Sequence, residues 1–337
     1  MDLRVVLSQY TGARAQRMRE YGDEIKKIST LITEYEHPAS YWYLSSVMRD
    51  INSVAPRVDV DLGAGALPAT LPLGEVNAMT VKLPVTGERI IFLDSGLVMF
   101  AHIMAEAVAR AMPAKRNEVG QPYLDLGAGG ADEIGQRLAS VDQARQAIAR
   151  AVIIYATDPQ PRRLLELAVA GLRETENRPT VSLLFEGAIG FVVGHEYGHI
   201  VQGYASHDNW ENEAMADAYG VLLSTAAMHE TGGHDVRIAS IGVDFFFGCL
   251  DLVYRAVSIL RYGDEDHLSS RTHPDPATRL AHHRAMMRKN PDKEATAAVT
   301  TVGRSIERML WVVWENMRLE VMAMRAAGVR PSSIWHL

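Results

Sequence analysis

A single cysteine, Cys249, stands in a chain of 337 residues, so no disulfide can close within it and a reducing compartment suits it. Its setting, the apolar run FFFGCL, predicts a core position. Long uninterrupted apolar runs are also missing. The two most apolar stretches, Val181–Val193 and Ile241–Leu260, are broken by Glu186 in one and by Asp244, Asp251 and Arg255 in the other, which predicts buried helices and no membrane span. The first sixteen residues have a short apolar stretch cut by Arg4 and lack the apolar centre of an export signal. The expected location is therefore cytoplasmic. There is no basic block: 34 Lys and Arg are spread among 41 Asp and Glu, for a net charge of −7, which argues against nucleic acid as a partner. Neither an internal repeat nor a low-complexity tract is present.

What is there is mostly helical patterning. Residues 12–35 are charged, free of proline and weakly amphipathic, as in a surface helix. Residues 56–94 change character: RVDVDL, Pro68 and Pro72, VNAMTVKLPV and ERIIFLD are short β-rich segments, with a turn at Thr86-Gly87. From Gly96 onward helical spacing recurs over 96–112, 131–154, 162–174, 180–203, 213–229, 236–262, 276–289 and 298–326. Helices with one small sheet define an α+β class. We expect one unit over 1–337: a core at about 76–290, a helical insertion or lid at 113–178, and a C-terminal helix at 291–337. The Gly-rich 119–135 reads as a mobile loop or a lid. Its LGAGGA is a poor match to a dinucleotide fingerprint, since neither a preceding strand nor a βαβ pattern accompanies it.

The chemistry concentrates in 185–223. His195 and His199 are four apart, so on a helix both imidazoles leave the same face and can grip one tetrahedral ion. Glu196 lies one step round, placed for a metal-bound water, the H-E-x-x-H arrangement. A second helix follows the loop 206–211, with Asn212 as a suitable cap. It carries Glu213 and Asp217, again four apart. Like charges at that spacing cost an isolated helix a few tenths of a kcal/mol, so cations are expected to meet them. Glu213 becomes the third ligand, with Glu211 as the fallback, and Asp217 accepts the ring N–H of a ligating histidine, His195 first. The fourth position stays open. Gly187, Gly190, Gly194 and Gly198 form one stripe on the first helix, each costing up to about 1 kcal/mol relative to alanine, which predicts another backbone packed close.

HEYGH followed by NEAMAD resembles the zinc helix and glutamate helix of the gluzincin metallopeptidases, and E-x-x-A-D is similar to their prenyl-protease and HtpX-like branch. NAMTVKLPVTGERIIFLDSGL, 77–97, is similar to that branch's asparagine-alanine strand and hairpin, and THPDPATRL, 272–280, to its histidine-proline segment preceding an arginine. The chain departs from the branch in lacking its membrane spans, and from thermolysin in placing only residues 200–212 between His199 and Glu213. Soluble phage-exclusion peptidases of the Lit type are another relative to which the motifs are similar.

The resemblance implies a mostly helical zincin-like fold whose edge strand faces the active-site cleft, a Zn²⁺ cofactor, and a protein or peptide substrate lying extended near Asn77 and Ala78. It implies an endopeptidase in which Glu196 is the general base. An oxyanion donor would come from Tyr204, His207, His273 or Arg279, with His273 favoured because its segment recurs in the branch. The competing reading is a helical regulatory or interaction protein in which zinc staples two helices, and a third is a peptidase held latent by residues 115–135. His207, His229 and His234 read as ordinary loop or helix-end residues. His282 and His283, with Arg279, Arg284 and Arg288, read as a solvated helix face. Trp311, Trp314 and the methionines of 309–324 fall at helical spacing, as core or as the surface of a homo-oligomer.

Overall fold

A helix that is apolar on every side belongs inside a protein, and the segment with H-E-x-x-H is such a helix. In the computed structural model it runs from Arg178 to Val201 and is buried almost throughout, from Thr180 to Ile200. The structure describes residues 38–63, 65–71, 73–83, 87–112, 115–116, 122–123, 142–159, 178–203, 210–232, 237–266, 274–289, 292–333 and 335. Among these, the helices in chain order are α1 (Pro38–Val54), α2 (Ser95–Ala111), α3 (Asp142–Thr157), α4 (Arg178–Val201), α5 (Trp210–Gly232), α6 (Arg237–Arg261), α7 (Pro276–Arg288) and α8 (Lys293–Ala326). The strands are β1 (Leu67–Leu71), β2 (Ala78–Lys82) and β3 (Arg89–Asp94), with a two-residue pair β4 (Lys115–Arg116) and β5 (Pro122–Tyr123). The fold is a mostly helical α+β structure.

Helix α4 is the axis, with α2, α5 and α6 packed round it. The glycine stripe explains its closest contact. A Cβ on Gly194 would come 2.9 Å from the Gly220 carbonyl, and one on Gly198 would come 2.7 Å from the Ala216 Cα. Gly190 faces Ser224 one turn further on, so α4 and α5 run antiparallel at backbone contact. Gly187 meets Gly242 of α6 instead, so the stripe serves two neighbours.

The sheet has order β1-β3-β2, with β3 parallel to β1 and antiparallel to β2. Leu83 and Glu88 close the β2–β3 hairpin at 2.8 Å, and Gly87 at φ 74° supplies the left-handed turn residue. Strand β2 is thus an edge, and it lies against α4. RVDVDL is not a strand: Ala55–Val58 form a 3-10 turn and residues up to Leu62 are irregular. Pro56 at the start of that turn sets φ for it and withholds a ladder donor. Helix α1, preceding this region, has no counterpart in the sequence reading. The helix expected at 131–154 runs from Asp142 to Thr157. The helices expected at 12–35 and 162–174, and most of the lid at 113–178, lie outside the described residues.

Cys249 is buried in the core, as expected. Among the described residues no helix is long and apolar enough to cross a membrane. Trp314, Met309 and Met317 are core, whereas Trp311 and Met322 on the other side of α8 are exposed. The solvated-face reading of α7 needs correction. His282 is exposed, but His283 is buried beside Asp244 at 3.6 Å, and Arg284 pairs with that carboxylate at 3.1 Å. Burial pushes the Asp244 carboxyl up to about 6, against the pull of Arg284, and pushes the His283 imidazole down to about 4.

Candidate metal centre

Two helices at backbone contact bring the site together. His195 and His199 project from one face of α4, with ring centroids 4.7 Å apart and planes at 90°. Glu213 projects towards them from the first turn of α5 and is fully buried. The two Nε2 atoms are 3.1 Å apart, and they stand 3.6 Å and 3.4 Å from the two Glu213 oxygens. Ligands of a tetrahedral ion at zinc-like bond lengths are separated by about 3.3 Å. The three side chains therefore converge as an ion requires, and this cluster can hold a metal. Fallback Glu211 is exposed and stands outside the cluster. His229, exposed in the last turn of α5, has no part in it.

The tautomer of His195 follows from its other nitrogen. Nδ1 lies 2.9 Å from Asp217 Oδ1, and an ionised carboxylate only accepts, so Nδ1 carries the proton and Nε2 presents its lone pair to the centre. Burial works against a charged His195, yet the hydrogen bond and charge of Asp217 outweigh it and raise its pKa. Asp217 is buried as well. Burial alone would raise its pKa, but the Arg279 guanidinium holds it far below the usual carboxylate range.

Arg279 is the member that sequence reasoning misplaced. It is neither a solvated residue nor free to serve as an oxyanion donor. Its Nε and Nη2 grip the two Asp217 oxygens at 3.0 Å and 2.5 Å, and its guanidinium lies 4.7 Å from the Phe247 ring centroid. The start of α7 holds it there. Asp275 caps the helix by accepting from the Thr278 amide at 2.8 Å, with Pro276 in the first turn. Asp217 thus meets the expected histidine and, beyond what was expected, an arginine. The arginine of THPDPATRL was the available signal.

Glu196 stands beside the cluster, 5% exposed. Thr80 of β2 holds it: the hydroxyl lies 2.9 Å from Oε2 and 3.1 Å from the Glu196 carbonyl, with one proton for two acceptors. Sequence reasoning missed Thr80, although it lies in the NAMT segment. A cleft of about 460 Å³ opens at this point, lined by Asn77, Ala78 and Thr80 of the edge strand and by His195, Glu196 and His199. Tyr254 of α6, also missed, lines it too. Burial raises the Tyr254 pKa, so the phenol stays protonated and able to donate. Tyr204, His207 and the favoured His273 lie outside the described residues. Helix α5 begins at Trp210, so Asn212 is inside the first turn and is not the cap. Its carbonyl instead accepts from Gln202 Nε2 at 3.1 Å, tying the end of α4 to the start of α5.

No family model, curated protein or solved structure matches this chain.

Proposed function

We propose that the chain is a zinc endopeptidase. The observation that carries this reading is a three-donor metal cluster with a fourth carboxylate, Glu196, beside it on an open cleft under an edge strand. Two imidazoles and one carboxylate suit zinc better than calcium or magnesium, which prefer all-oxygen shells. A purely structural zinc site is closed by four protein ligands, and among the described residues the cluster offers three. That favours the catalytic over the stapling reading.

Zinc held there supplies a Lewis acid that polarises a carbonyl and brings the pKa of a water towards neutrality. The chain supplies the rest. Glu196, fixed by Thr80, takes the proton of the attacking water and delivers it to the leaving amine. A peptide pairs with the outer edge of β2, which no described strand covers, by main-chain hydrogen bonds, and its backbone then lies beside Glu196. Tyr254, which lines the cleft, donates to the developing oxyanion. Asp217 and Arg279 hold the His195 ring. The lone buried thiol needs no oxidising compartment, and we place the enzyme in the cytoplasm.

The test replaces Glu196 with glutamine. Zinc content by elemental analysis should stay at the wild-type value, while hydrolysis of casein should fall by at least 100-fold, on the scale of lost general-base catalysis. Equal proteolysis by wild type and variant contradicts the mechanism.

A further inference from the structure

The metal cleft uses one face of α6 and the Arg279 side of α7. Their other faces, with α8, enclose a larger cavity of about 760 Å³ that shares no lining residue with the cleft. Its space has a cause in the sequence: Ala277 and Ala281 on α7 put small side chains where three helices face one another, while Gly248 on α6 makes room for Leu310, whose Cδ1 would stand 2.9 Å from a Cβ there. The floor is apolar, formed by Leu252, Leu280 and Leu310, each nearly buried.

The walls are basic. Arg255, Arg284, Arg288, Arg304 and Arg308 line the cavity, against the carboxylates of Asp251 and Glu307, in a chain whose net charge is −7. Those two carboxylates are already engaged. Asp251 pairs with Arg255 at 2.7 Å and Glu307 with Arg284 at 2.5 Å. Arg288 and Arg304 are exposed at the opening and have no hydrogen bond or ion pair with any described residue through their side chains. Arg288 stands one turn from Arg284 on α7 and Arg304 one turn from Arg308 on α8, so each of the two exposed guanidiniums adds like charge beside another.

We propose that this cavity binds an organic anion, its phosphate or carboxylate head between Arg288 and Arg304 and its apolar body over Leu252, Leu280 and Leu310. Guanidinium forks match both headgroups with paired hydrogen bonds. The cavity volume falls in the range of small-molecule sites. The site stands apart from the metal and does not depend on the peptidase reading.

Calorimetric titration of the full chain tests it, with phenyl phosphate, benzoate, inorganic phosphate and phenol as probes. Saturable binding of phenyl phosphate or benzoate at one site per chain is expected, and the tighter of the two identifies the headgroup. Inorganic phosphate, without an apolar body, and phenol, without a charge, should each bind at least 10-fold more weakly. The double variant R288E/R304E, at exposed positions, should weaken the tighter probe by at least 10-fold. Ala281→Trp, which fills the space and leaves the net charge unchanged, should do the same. The proposal is overturned if neither anion saturates, if phenol binds as well as the anions, or if both variants bind like wild type.

Discussion

Asp217 gives its two oxygens to two partners, and that division holds the metal centre in shape. One oxygen receives the His195 Nδ1–H and both receive the guanidinium of Arg279. Removing one member of a buried pair leaves a charge without compensation, at a cost of about 3–5 kcal/mol. Arg279→Ala should therefore lower stability by that order in urea melts and weaken zinc binding by about 10–100-fold, the usual scale for partners of a metal ligand. Arg279→Lys keeps the charge without the fork and should fall between. Zinc affinity unchanged in Arg279→Ala would remove the residue from this role. The contrast with the histidines shows what a sequence reveals at this scale. His195 and His199 are four apart, so helix geometry alone puts them on one face. Arg279 reaches Asp217 across sixty-two positions, and no local period encodes such a pairing. Thr80 reaches Glu196 across a still longer interval, and its role was equally invisible.

Helices α4 and α5 hold the ligand set only because they touch backbone to backbone. A methyl group on Gly198 meets the Ala216 Cα at 2.7 Å, whereas one on Gly190 meets the Ser224 Cβ at 3.4 Å, ordinary contact distance. Gly198→Ala should thus force the helices apart, cost about 1–3 kcal/mol as overpacking does, and pull Glu213 from the histidine pair, lowering zinc affinity. Gly190→Ala should be neutral or stabilising by up to about 1 kcal/mol through helix propensity. Thermal melts and zinc titrations of the two variants measure both effects; identical behaviour would contradict the close-packing account. Apolar periodicity made α4, α6 and α8 legible, and the glycine stripe foretold the close packing of α4 on its neighbours, which are α5 and α6. Helix boundaries were less legible. Trp210 and Glu211 continue α5 before Asn212, since a cap contributes only about 1 kcal/mol and does not by itself fix where a helix begins. Pro56 turned a strand-like alternation into a 3-10 turn.

At the scale of the molecule, α6 and α7 are shared walls. On one side they close the metal cleft with the edge strand, and on the other they form the arginine-lined cavity with α8. The β2–β3 hairpin was legible from its β-branched and turn residues, but the sheet order, with β3 in the middle and β2 at the edge, was not. Strand order depends on which edge meets α4, and that is settled by packing far along the chain. The cavity was hidden for the same reason: its arginines come from three separate helices, and on each alone they look like a solvated face. The central claim remains local, that His195, His199 and Glu213 hold one ion. X-ray absorption of the zinc-loaded chain tests it most directly. The account predicts two imidazole nitrogens and one carboxylate oxygen at about 2.0–2.2 Å, four-coordinate with a light fourth ligand, and a Glu213→Gln variant whose zinc affinity falls by at least 100-fold. A zinc shell without imidazole, or a Glu213→Gln variant with the wild-type spectrum and affinity, would contradict it.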